Sequence, residues 1–367
     1  MHLSENNGPR EKQTGDGVRT ILVLRFSSIG DIILTTPVLR AMRARWPEAR
    51  ITFVTRARFA GLLKGNPAVD EIEILAEPGG YAEQDRLAAR LERRRWDLLS
   101  DLHNSLRSRI LRRRVPAGVV TVYRKPLFRR SLLIYGRVDL YGPNPASVPE
   151  RYAEALSGLG VRLDGSPCEL HPSGEDFEFF SGKLPPRWRD ERPFLALAPG
   201  AAWPVKRWPP ERFAEAAAAL CAAHGLRALV LGGELEREIC GRVCRALGPE
   251  LSLNLAGELP ILASAAALSR ARLLIANDTG LMHAATAVGA PVAAIFGPTT
   301  RHFGYFPYRA ASRVVETPLY CRPCTHNGRA RCPLGHFRCM RDIKPRQVIA
   351  AAEELLSQTA PRRGAGE

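Results

Sequence analysis

The chain has 367 residues, of which 45% are hydrophobic and 25% are charged, and this composition excludes a disordered or fibrous protein. Its length exceeds what one hydrophobic core usually organises, so two domains are expected. The formal net charge of +16 predicts an anionic partner: nucleic acid, an acidic membrane surface or a phosphorylated substrate.

The sequence predicts a cytoplasmic protein. Its longest apolar stretches, such as 226–231 and 290–296, are far shorter than the roughly 20 apolar residues that cross a bilayer. The first twenty residues are polar and lack the apolar core of a secretory signal.

Short apolar runs alternate with longer amphipathic runs in the first part of the chain, a pattern typical of parallel βαβ units. Strands are predicted at 21–26, 51–54, 71–75 and 98–102, and helices at 31–46 and 81–95. The pattern predicts a Rossmann-like domain over 21–170, after a disordered tail over 1–20.

Glycine, proline and mixed charges interrupt the pattern over 171–192, which is predicted to be an interdomain segment. A second alternation follows, with strands at 194–198, 228–231, 252–255, 273–276 and 292–296, and helices at 211–224, 235–247, 261–269 and 281–288. Residues 193–344 are therefore a second predicted Rossmann-like domain, followed by a helix over 345–358 and a disordered tail over 359–367. The chain lacks a Gly-x-Gly-x-x-Gly fingerprint, which disfavours a nicotinamide or flavin enzyme.

The first candidate functional motif is Arg-Phe-Ser-Ser-Ile-Gly-Asp, from Arg25 to Asp31. It joins the first predicted strand to the helix predicted after it. Ligands bind beyond the carboxyl ends of parallel strands, so this turn faces the predicted cleft. Gly30 allows close backbone approach. Asp31 has two interpretations: a first-turn acid favoured by the helix dipole, or a general base beside Arg25.

A loop of small residues, 198–209, follows the first strand of the second domain. Backbone N–H groups at Gly200, Ala201 and Ala202 suit a phosphate, and so does the ammonium group of Lys206. The alternative interpretation of Lys206 is a solvated surface side chain.

A later strand ends at Asn277 and opens onto another predicted helix. Asp278 or Thr279 is expected to cap this helix, whose first N–H groups then hold a diphosphate. His283 lies four residues after Thr279, on the same helical face. Alone it would be interpreted as a core histidine, but beside Asp278, Thr279 and Gly280 we expect it to face the ligand.

These motifs together resemble glycosyltransferase family 9, the heptosyltransferases of lipopolysaccharide core assembly. They are Phe-Ser-Ser-Ile-Gly-Asp at 26–31, Pro-Gly and Lys-Arg-Trp-Pro within 199–209, and Asp-Thr-Gly with His-Ala-Ala at 278–285, followed by Phe-Gly-Pro-Thr at 296–299. The resemblance runs from about residue 21 to about residue 348. It implies an α/β protein of the GT-B fold, in which two Rossmann-like domains face a central cleft.

The resemblance also implies inverting transfer of a heptose from ADP-heptose to the inner core of lipopolysaccharide, with no metal required. By position, Asp31 matches the proposed base, and with Ser28 and Gly30 it is assigned to the acceptor. Lys206 matches the contact to the donor phosphate, and Glu234 the contact to the ribose.

The remaining donor contacts implied by the resemblance are Asp278, Thr279, Gly280 and His283, which match the segment that binds the diphosphate and the sugar. Some members carry hydroxyl residues where this chain has Ala201 and Ala202. Side-chain hydrogen bonds to phosphate are therefore absent at these two positions.

The basic residues are concentrated in one stretch, because residues 86–137 contain 15 Lys or Arg against three acids. The implied acceptor is an anionic, lipid-linked core oligosaccharide. The arginines are therefore expected to bind acceptor phosphate or carboxylate, or to hold the enzyme peripherally on the inner face of the cytoplasmic membrane. Solvated arginines without a ligand are the third interpretation.

Four cysteines lie close together late in the chain, at Cys321, Cys324, Cys332 and Cys339. A Cys-x-x-Cys pair with two further thiols is compatible with a structural zinc site, which is separate from catalysis. A disulfide and plain thiols are the alternatives.

Two other functions compete with heptose transfer. One is transfer of another nucleotide-activated sugar by the same architecture. The other is non-catalytic binding of nucleic acid or membrane through the positive charge, but the sequence lacks an RNA-binding aromatic signature or a helix-turn-helix. We therefore expect no nucleic-acid partner.

Overall fold

The computed structural model describes residues 17–77, 80–190 and 192–358. The predicted disordered tails fall outside these residues, apart from 17–20, which lead into the first strand.

The first half is a parallel sheet with the strand order β3-β2-β1-β4-β5. Its strands are β1 (Thr20–Leu24), β2 (Arg50–Arg56), β3 (Glu71–Leu75), β4 (Trp96–Asp101) and β5 (Ala117–Val122). Its helices are α1 (Ile29–Ile33), α2 (Thr36–Arg45), α3 (Ala57–Ala60), α4 (Tyr81–Glu92), α5 (Leu106–Arg114), α6 (Leu127–Ser131) and α7 (Val148–Glu154).

The second half is a parallel sheet with the strand order β11-β10-β9-β6-β7-β8. Its strands are β6 (Phe194–Ala198), β7 (Arg227–Val230), β8 (Ser252–Asn254), β9 (Leu273–Asn277), β10 (Val292–Phe296) and β11 (Ser312–Glu316). Its helices are α8 (Gly174–Gly182), α9 (Pro210–His224), α10 (Arg237–Leu247), α11 (Ile261–Arg270), α12 (Gly280–Ala287), α13 (Arg338–Arg341) and α14 (Pro345–Gln358). Two parallel sheets covered by helices confirm the predicted α/β class.

Both sheets are buried on both faces. Successive side chains of a strand point in opposite directions, so each strand contributes to the packing on both faces. In β1, Ile21 and Val23 enter one hydrophobic cluster, whereas Leu22 and Leu24 enter another on the opposite face. The cluster that contains Ile21 also contains Ala196 of β6 and Met282 of α12. One continuous core therefore joins the inner sides of the two halves.

The helix predicted over 31–46 is two helices in the structure, α1 and α2. Pro37 lies in the first turn of α2 and has no N–H to donate to the carbonyl of Ile33. The hydroxyl of Thr36 donates to that carbonyl instead, at 2.8 Å, and the hydroxyl of Thr35 donates to Ile32 O at 2.6 Å. The proline therefore ends the first helix, and the prediction of one continuous helix was wrong.

The predicted interdomain segment, 171–192, contains a helix that the sequence pattern did not predict, α8. The Phe180 ring in α8 packs against Phe194 of β6, with ring centroids 6.3 Å apart. Arg270 of α11 lies over the Phe177 ring, 5.0 Å from its centroid. These contacts attach α8 to the second sheet.

Candidate active site

Asp31 lies in the first turn of α1 and is held by groups from both halves of the chain. Its Oδ2 accepts hydrogen bonds from the backbone N–H of Ser28 at 3.1 Å and from the Ser28 hydroxyl at 2.7 Å. Its Oδ1 lies 2.5 Å from a guanidinium nitrogen of Arg25 and accepts a bond from the Tyr305 hydroxyl at 3.1 Å. The carboxylate is therefore a first-turn acid of its helix and also a group of the cleft.

The electrostatic environment keeps Asp31 ionised. Burial by itself raises the pKa of this carboxyl, but the charge of Arg25 and the hydrogen bonds from Ser28 and Tyr305 outweigh burial and lower the pKa to about 2. Arg25 is fixed in place, because Nε donates to Ser27 O at 2.8 Å and Nη1 donates to Leu102 O at 2.7 Å.

Tyr305 is a site residue that the sequence analysis missed. It lies in the loop after β10, and it is 274 positions from Asp31 in the chain. Burial and the charge of Asp31 raise the pKa of Tyr305 above its ordinary value, so the phenol stays protonated and donates. A lone tyrosine in a loop carries no motif, so only the three-dimensional structure connects it with Asp31.

Lys206 and Asp278 form the second ion pair of the cleft. Lys206 Nζ lies 2.6 Å from Asp278 Oδ2, and both side chains are largely buried. The Thr299 hydroxyl donates to the same oxygen at 3.0 Å. An ammonium group has three N–H donors, so Lys206 keeps donors for a phosphate while it contacts Asp278.

The start of α12 differs from the prediction that Asp278 or Thr279 caps it. Thr279 occupies the N-cap position, but its side chain makes no capping hydrogen bond. Asp278 instead contacts Lys206 and Thr299. The first N–H groups of α12, from Gly280 onward, are therefore left without a side-chain cap at the positive end of the helix dipole, which suits a diphosphate.

His283 is buried in the α12 face that meets α1. Burial lowers its pKa to about 4; Lys206 also lowers it, whereas Asp278 and Asp31 raise it. The imidazole is therefore neutral at pH 7, and its Nδ1 is buried with no hydrogen-bond partner among the described residues. His283 thus lies in the contact between α1, which carries Asp31, and α12, which begins beside the Lys206–Asp278 pair.

Two glycines permit the close contact between α1 and α12. A Cβ atom added to Gly30 would lie 2.6 Å from His283 Cδ2, and one added to Gly280 would lie 2.8 Å from Ile29 Cγ2. Both distances are shorter than real Cβ contacts allow. The structure therefore gives Gly30 a packing role against His283, and its contact with an acceptor stays a prediction.

The small-residue loop after β6, residues 198–209, is held by hydrogen bonds with Asn277. Asn277 Nδ2 donates to Pro199 O at 2.8 Å, and Asn277 Oδ1 accepts from the backbone N–H of Trp208 at 3.0 Å. Ala201 is buried and its carbonyl accepts from Arg207 Nε at 2.9 Å, whereas Ala202 is exposed. The loop backbone is therefore held in place at the carboxyl end of β6.

Two acids follow β7, the strand next to β6 in the sheet. Glu234, the predicted ribose contact, is 70% exposed and pairs with Arg237 at 2.9 Å. Glu236 lies against the loop, since a Cβ atom added to Gly200 would clash with Glu236 Cδ. The sequence analysis did not single out Glu236, whose carboxylate also accepts from the backbone N–H of Gly233 at 2.9 Å.

Part of the basic stretch 86–137 is paired within the protein. Arg90, Arg94, Arg112 and Arg114 contact carboxylates on neighbouring elements. These arginines consequently stabilise the first half and are not free for a ligand.

Two other cations of the same stretch, Lys125 and Arg130, are half-buried and buried, and Lys125 Nζ donates to Asn104 O at 3.2 Å. Burial lowers the pKa of Lys125, and the charges of Arg25 and Arg130 lower it further. Arg130 is buried, and its Nε has no partner among the described residues.

The four late cysteines are free thiols. Burial raises the pKa of Cys339 to about 12, and the neighbouring Cys324, Cys332 and Cys321 affect it electrostatically. Within 17–77, 80–190 and 192–358, however, no three His, Cys, Asp or Glu side chains are arranged to hold a metal ion. The arrangement seen here therefore does not fit the predicted zinc site.

Known proteins resemble this chain in sequence and in structure. The lipopolysaccharide heptosyltransferase 2 of Salmonella typhimurium is 28% identical over 361 residues, covering 92% of this chain and 99% of that protein. A family 9 glycosyltransferase of Veillonella parvula superposes with a TM-score of 0.77 at 26% identity, covering 93% and 98% of the two chains. The E. coli ADP-heptose lps heptosyltransferase II superposes with a TM-score of 0.71 at 25% identity, covering 92% and 99%.

These superpositions confirm the GT-B architecture. Residues 85–334 match the sequence profile of glycosyltransferase family 9 (heptosyltransferase). The matched region takes in α12, Lys206 and the Tyr305 loop. The chain belongs to glycosyltransferase family 9.

Proposed function

We propose that this protein transfers a heptose from ADP-heptose to the inner core of lipopolysaccharide, with inversion at the anomeric carbon. The observation that carries the proposal is the contact between α1 and α12, which brings Asp31 near the Lys206–Asp278 pair and the uncapped start of α12. An acid on one side of a cleft and anion-binding groups on the other suit attack by a hydroxyl and departure of a diphosphate. The names of the Salmonella and E. coli relatives support the choice of sugar and acceptor.

In the proposed reaction, the acceptor hydroxyl attacks the anomeric carbon while the bond from that carbon to the diphosphate oxygen breaks. Asp31 takes the proton of the hydroxyl, and ADP leaves with the bonding electrons. Lys206 and the first N–H groups of α12 stabilise the negative charge on the diphosphate, and they are already in place before the reaction begins.

The low pKa of Asp31 sets the timing of proton transfer. A carboxylate with a pKa of about 2 is too weak a base to deprotonate a neutral alcohol in advance. Once the acceptor oxygen has bonded to the anomeric carbon it becomes positively charged, and its proton is then acidic enough for Asp31. Proton removal therefore follows, or accompanies, bond formation in this mechanism.

We propose that catalysis requires no metal, since Lys206 and the α12 N-terminus supply the positive charge that a metal supplies elsewhere. Activity that survives treatment with a chelator supports this proposal, and activity that is lost and then restored by a divalent cation contradicts it. The four cysteines are not arranged to hold a metal ion in the described residues, and the structural zinc predicted from their spacing is tested separately from catalysis. Metal analysis of protein purified without chelator tests it, and a folded, metal-free preparation contradicts it.

The acceptor is proposed to be lipid-linked, and the protein is proposed to act in the cytoplasm at the inner face of the membrane. Among the described residues, no helix is long and apolar enough to span a bilayer. Peripheral attachment is supported by the net charge of +16.

The decisive test is to incubate the protein with ADP-heptose and truncated lipopolysaccharide acceptors and to weigh the products. A mass increase of one heptose, absent with the Asp31→Asn variant, supports the proposal. Parallel reactions with UDP- and GDP-sugars test the alternative donors, and a product formed only with one of these contradicts ADP-heptose as the donor. Salt-sensitive binding to DNA or RNA with no transfer to any acceptor contradicts the enzymatic function.

A further inference from the structure

The segment after β5 presents apolar side chains outward. Helix α6 continues into a wider helical turn over Leu132–Gly136, and the exposed fractions of Leu127, Phe128 and Tyr135 are 62%, 72% and 75%. All three side chains are therefore directed mainly to solvent rather than into the core. Val138 and Leu140 in the loop that follows are also exposed, at 45% and 44%.

We call the five residues Leu127, Phe128, Tyr135, Val138 and Leu140 the apolar strip. Single exposed apolar residues are common on soluble proteins, but several within one short segment mark an interaction surface. Aromatic side chains such as Phe128 and Tyr135 are favoured where a protein meets a membrane interface.

Basic residues flank the strip. Arg124 precedes the helix and Arg129 lies within it; both are exposed, and neither forms a salt bridge within the described part of the chain. The acid inside the strip, Asp139, pairs with His302 at 3.1 Å. Apolar side chains next to arginines that form no salt bridge complement a bilayer with anionic headgroups, and they fit a cationic surface poorly.

The inner side of the same helix is connected to the candidate active site. Leu133 and Ile134 form a buried cluster with Phe303, and Tyr305 packs against that cluster. Tyr305 in turn donates a hydrogen bond to Asp31. The outer side of this helical segment therefore carries exposed apolar side chains. Its inner side is connected to Asp31 indirectly, through Phe303 and Tyr305.

We propose that the apolar strip docks the protein on an anionic bilayer surface, with Arg124 and Arg129 among the lipid phosphates. This inference rests on the proposed function, because a lipid-linked acceptor reaches Asp31 most directly when the wall of the cleft beside Asp31 lies on the membrane. Docking in this orientation buries the outer face of α6 at the level of the headgroups and leaves the donor side of the cleft in water.

The test is sedimentation of the full-length protein with vesicles of phosphatidylethanolamine and phosphatidylglycerol. The triple variant Leu127→Ser, Phe128→Ser, Tyr135→Ser is expected to bind them at least about tenfold more weakly, since it removes three apolar groups from the interface. Phe179→Ser, which changes an exposed aromatic residue of α8, is the matched control and is expected to bind like the unaltered protein. The single variant Phe128→Ser, expected to lose part of the binding, is the fallback if the triple variant misfolds.

The double variant Arg124→Ser, Arg129→Ser tests the charge. It is expected to lose about tenfold in binding at low salt, and to differ little from the unaltered protein on phosphatidylcholine vesicles. Arg346→Ser, an exposed arginine of α14, is its control. Equal losses in the strip variants and in their controls would overturn the proposal.

Two further measurements separate the docking surface from the catalytic function. Transfer to a water-soluble core acceptor is expected to be unchanged in the triple variant, whereas transfer to the same acceptor on vesicles is expected to fall with binding. If the unaltered protein transfers heptose to no acceptor while vesicle binding still depends on the strip, the docking proposal is supported and the proposed function is wrong. If the strip variants convert a dimer to a monomer and bind vesicles normally, the strip is a self-association surface and the docking proposal is wrong.

Discussion

The two sides of the cleft each hold a close ion pair, but the functional member differs between them. In the Arg25–Asp31 pair, at 2.5 Å, the carboxylate is the proposed base and the guanidinium is fixed by backbone carbonyls. In the Lys206–Asp278 pair, at 2.6 Å, the ammonium is the proposed donor contact and the carboxylate accepts a hydrogen bond from Thr299. On each side, one charged group is proposed to act on a substrate, and we call it the acting group. Its oppositely charged partner, which we call the immobile partner, favours the ionised form of the acting group and holds it in position.

The largest effect is expected when the acting group of the acceptor side is neutralised. Asp31→Asn removes the proton acceptor but keeps the side-chain shape, so kcat is expected to fall by about two to four orders of magnitude. Steady-state kinetics measure the loss, and ADP binding by calorimetry is expected to stay unchanged. Near-normal turnover would remove Asp31 from the role of base.

Changing the acting group of the donor side is expected to have the next largest effect. Lys206→Ala deletes the charge beside the leaving diphosphate, so kcat is expected to fall by about two to three orders of magnitude, and ADP binding is expected to weaken as well. Lys206→Arg, which keeps the charge, serves as the control. If ADP affinity is unaffected in Lys206→Ala, the lysine does not contact the phosphates.

Changing the immobile partner of Asp31 is expected to shift the pH dependence. In Arg25→Met the burial of Asp31 is no longer opposed by a cation, so its pKa rises from about 2 and the carboxylate is protonated at higher pH. The acidic limb of kcat/KM is therefore expected to move upward by about one to two pH units. Arg25→Lys, which restores a positive charge, is expected to reverse most of the shift. If the acidic limb does not move in Arg25→Met, the group that titrates in this limb is not Asp31.

The smallest effect is expected at the hydrogen bond from Tyr305 to Asp31, which connects the two halves. Tyr305→Phe keeps the ring in its cluster and removes the hydroxyl that donates to Asp31, so kcat is expected to change by about twofold to tenfold. The thermal unfolding midpoint controls for packing, since the ring stays. A loss as large as that of Asp31→Asn would show that Tyr305 takes a direct part in the chemistry.

The sequence predicted the parts of the fold that carry unbroken apolar runs. Strands such as β6 and β9 are buried along their length, and the motifs that follow them lie at the cleft as expected. The edge strands β5 and β11 were missed, because they are partly exposed and their polar residues interrupt the apolar pattern. Helix α8 was missed because glycines, acids and a lysine surround its phenylalanines.

The residues of the candidate site also differ in whether the sequence could predict them. Asp31, Lys206, Asp278 and His283 follow strand ends within recognisable motifs, so the sequence could place them at one edge. Tyr305 and Glu236 reach the site through tertiary packing alone. The Lys206–Asp278 pair also could not be predicted, because local spacing suggested that Asp278 would cap α12.

Gly30 lies against the His283 side chain, and Gly280 lies against the Ile29 side chain, so each glycine leaves room for one side chain of the opposite helix. The close spacing between α1 and α12 therefore keeps Asp31 near the start of α12. A methyl group at either glycine would collide with the facing side chain and push the two helices apart. Gly30→Ala is therefore expected to lower kcat, because it increases the distance between the proposed base and the proposed diphosphate site.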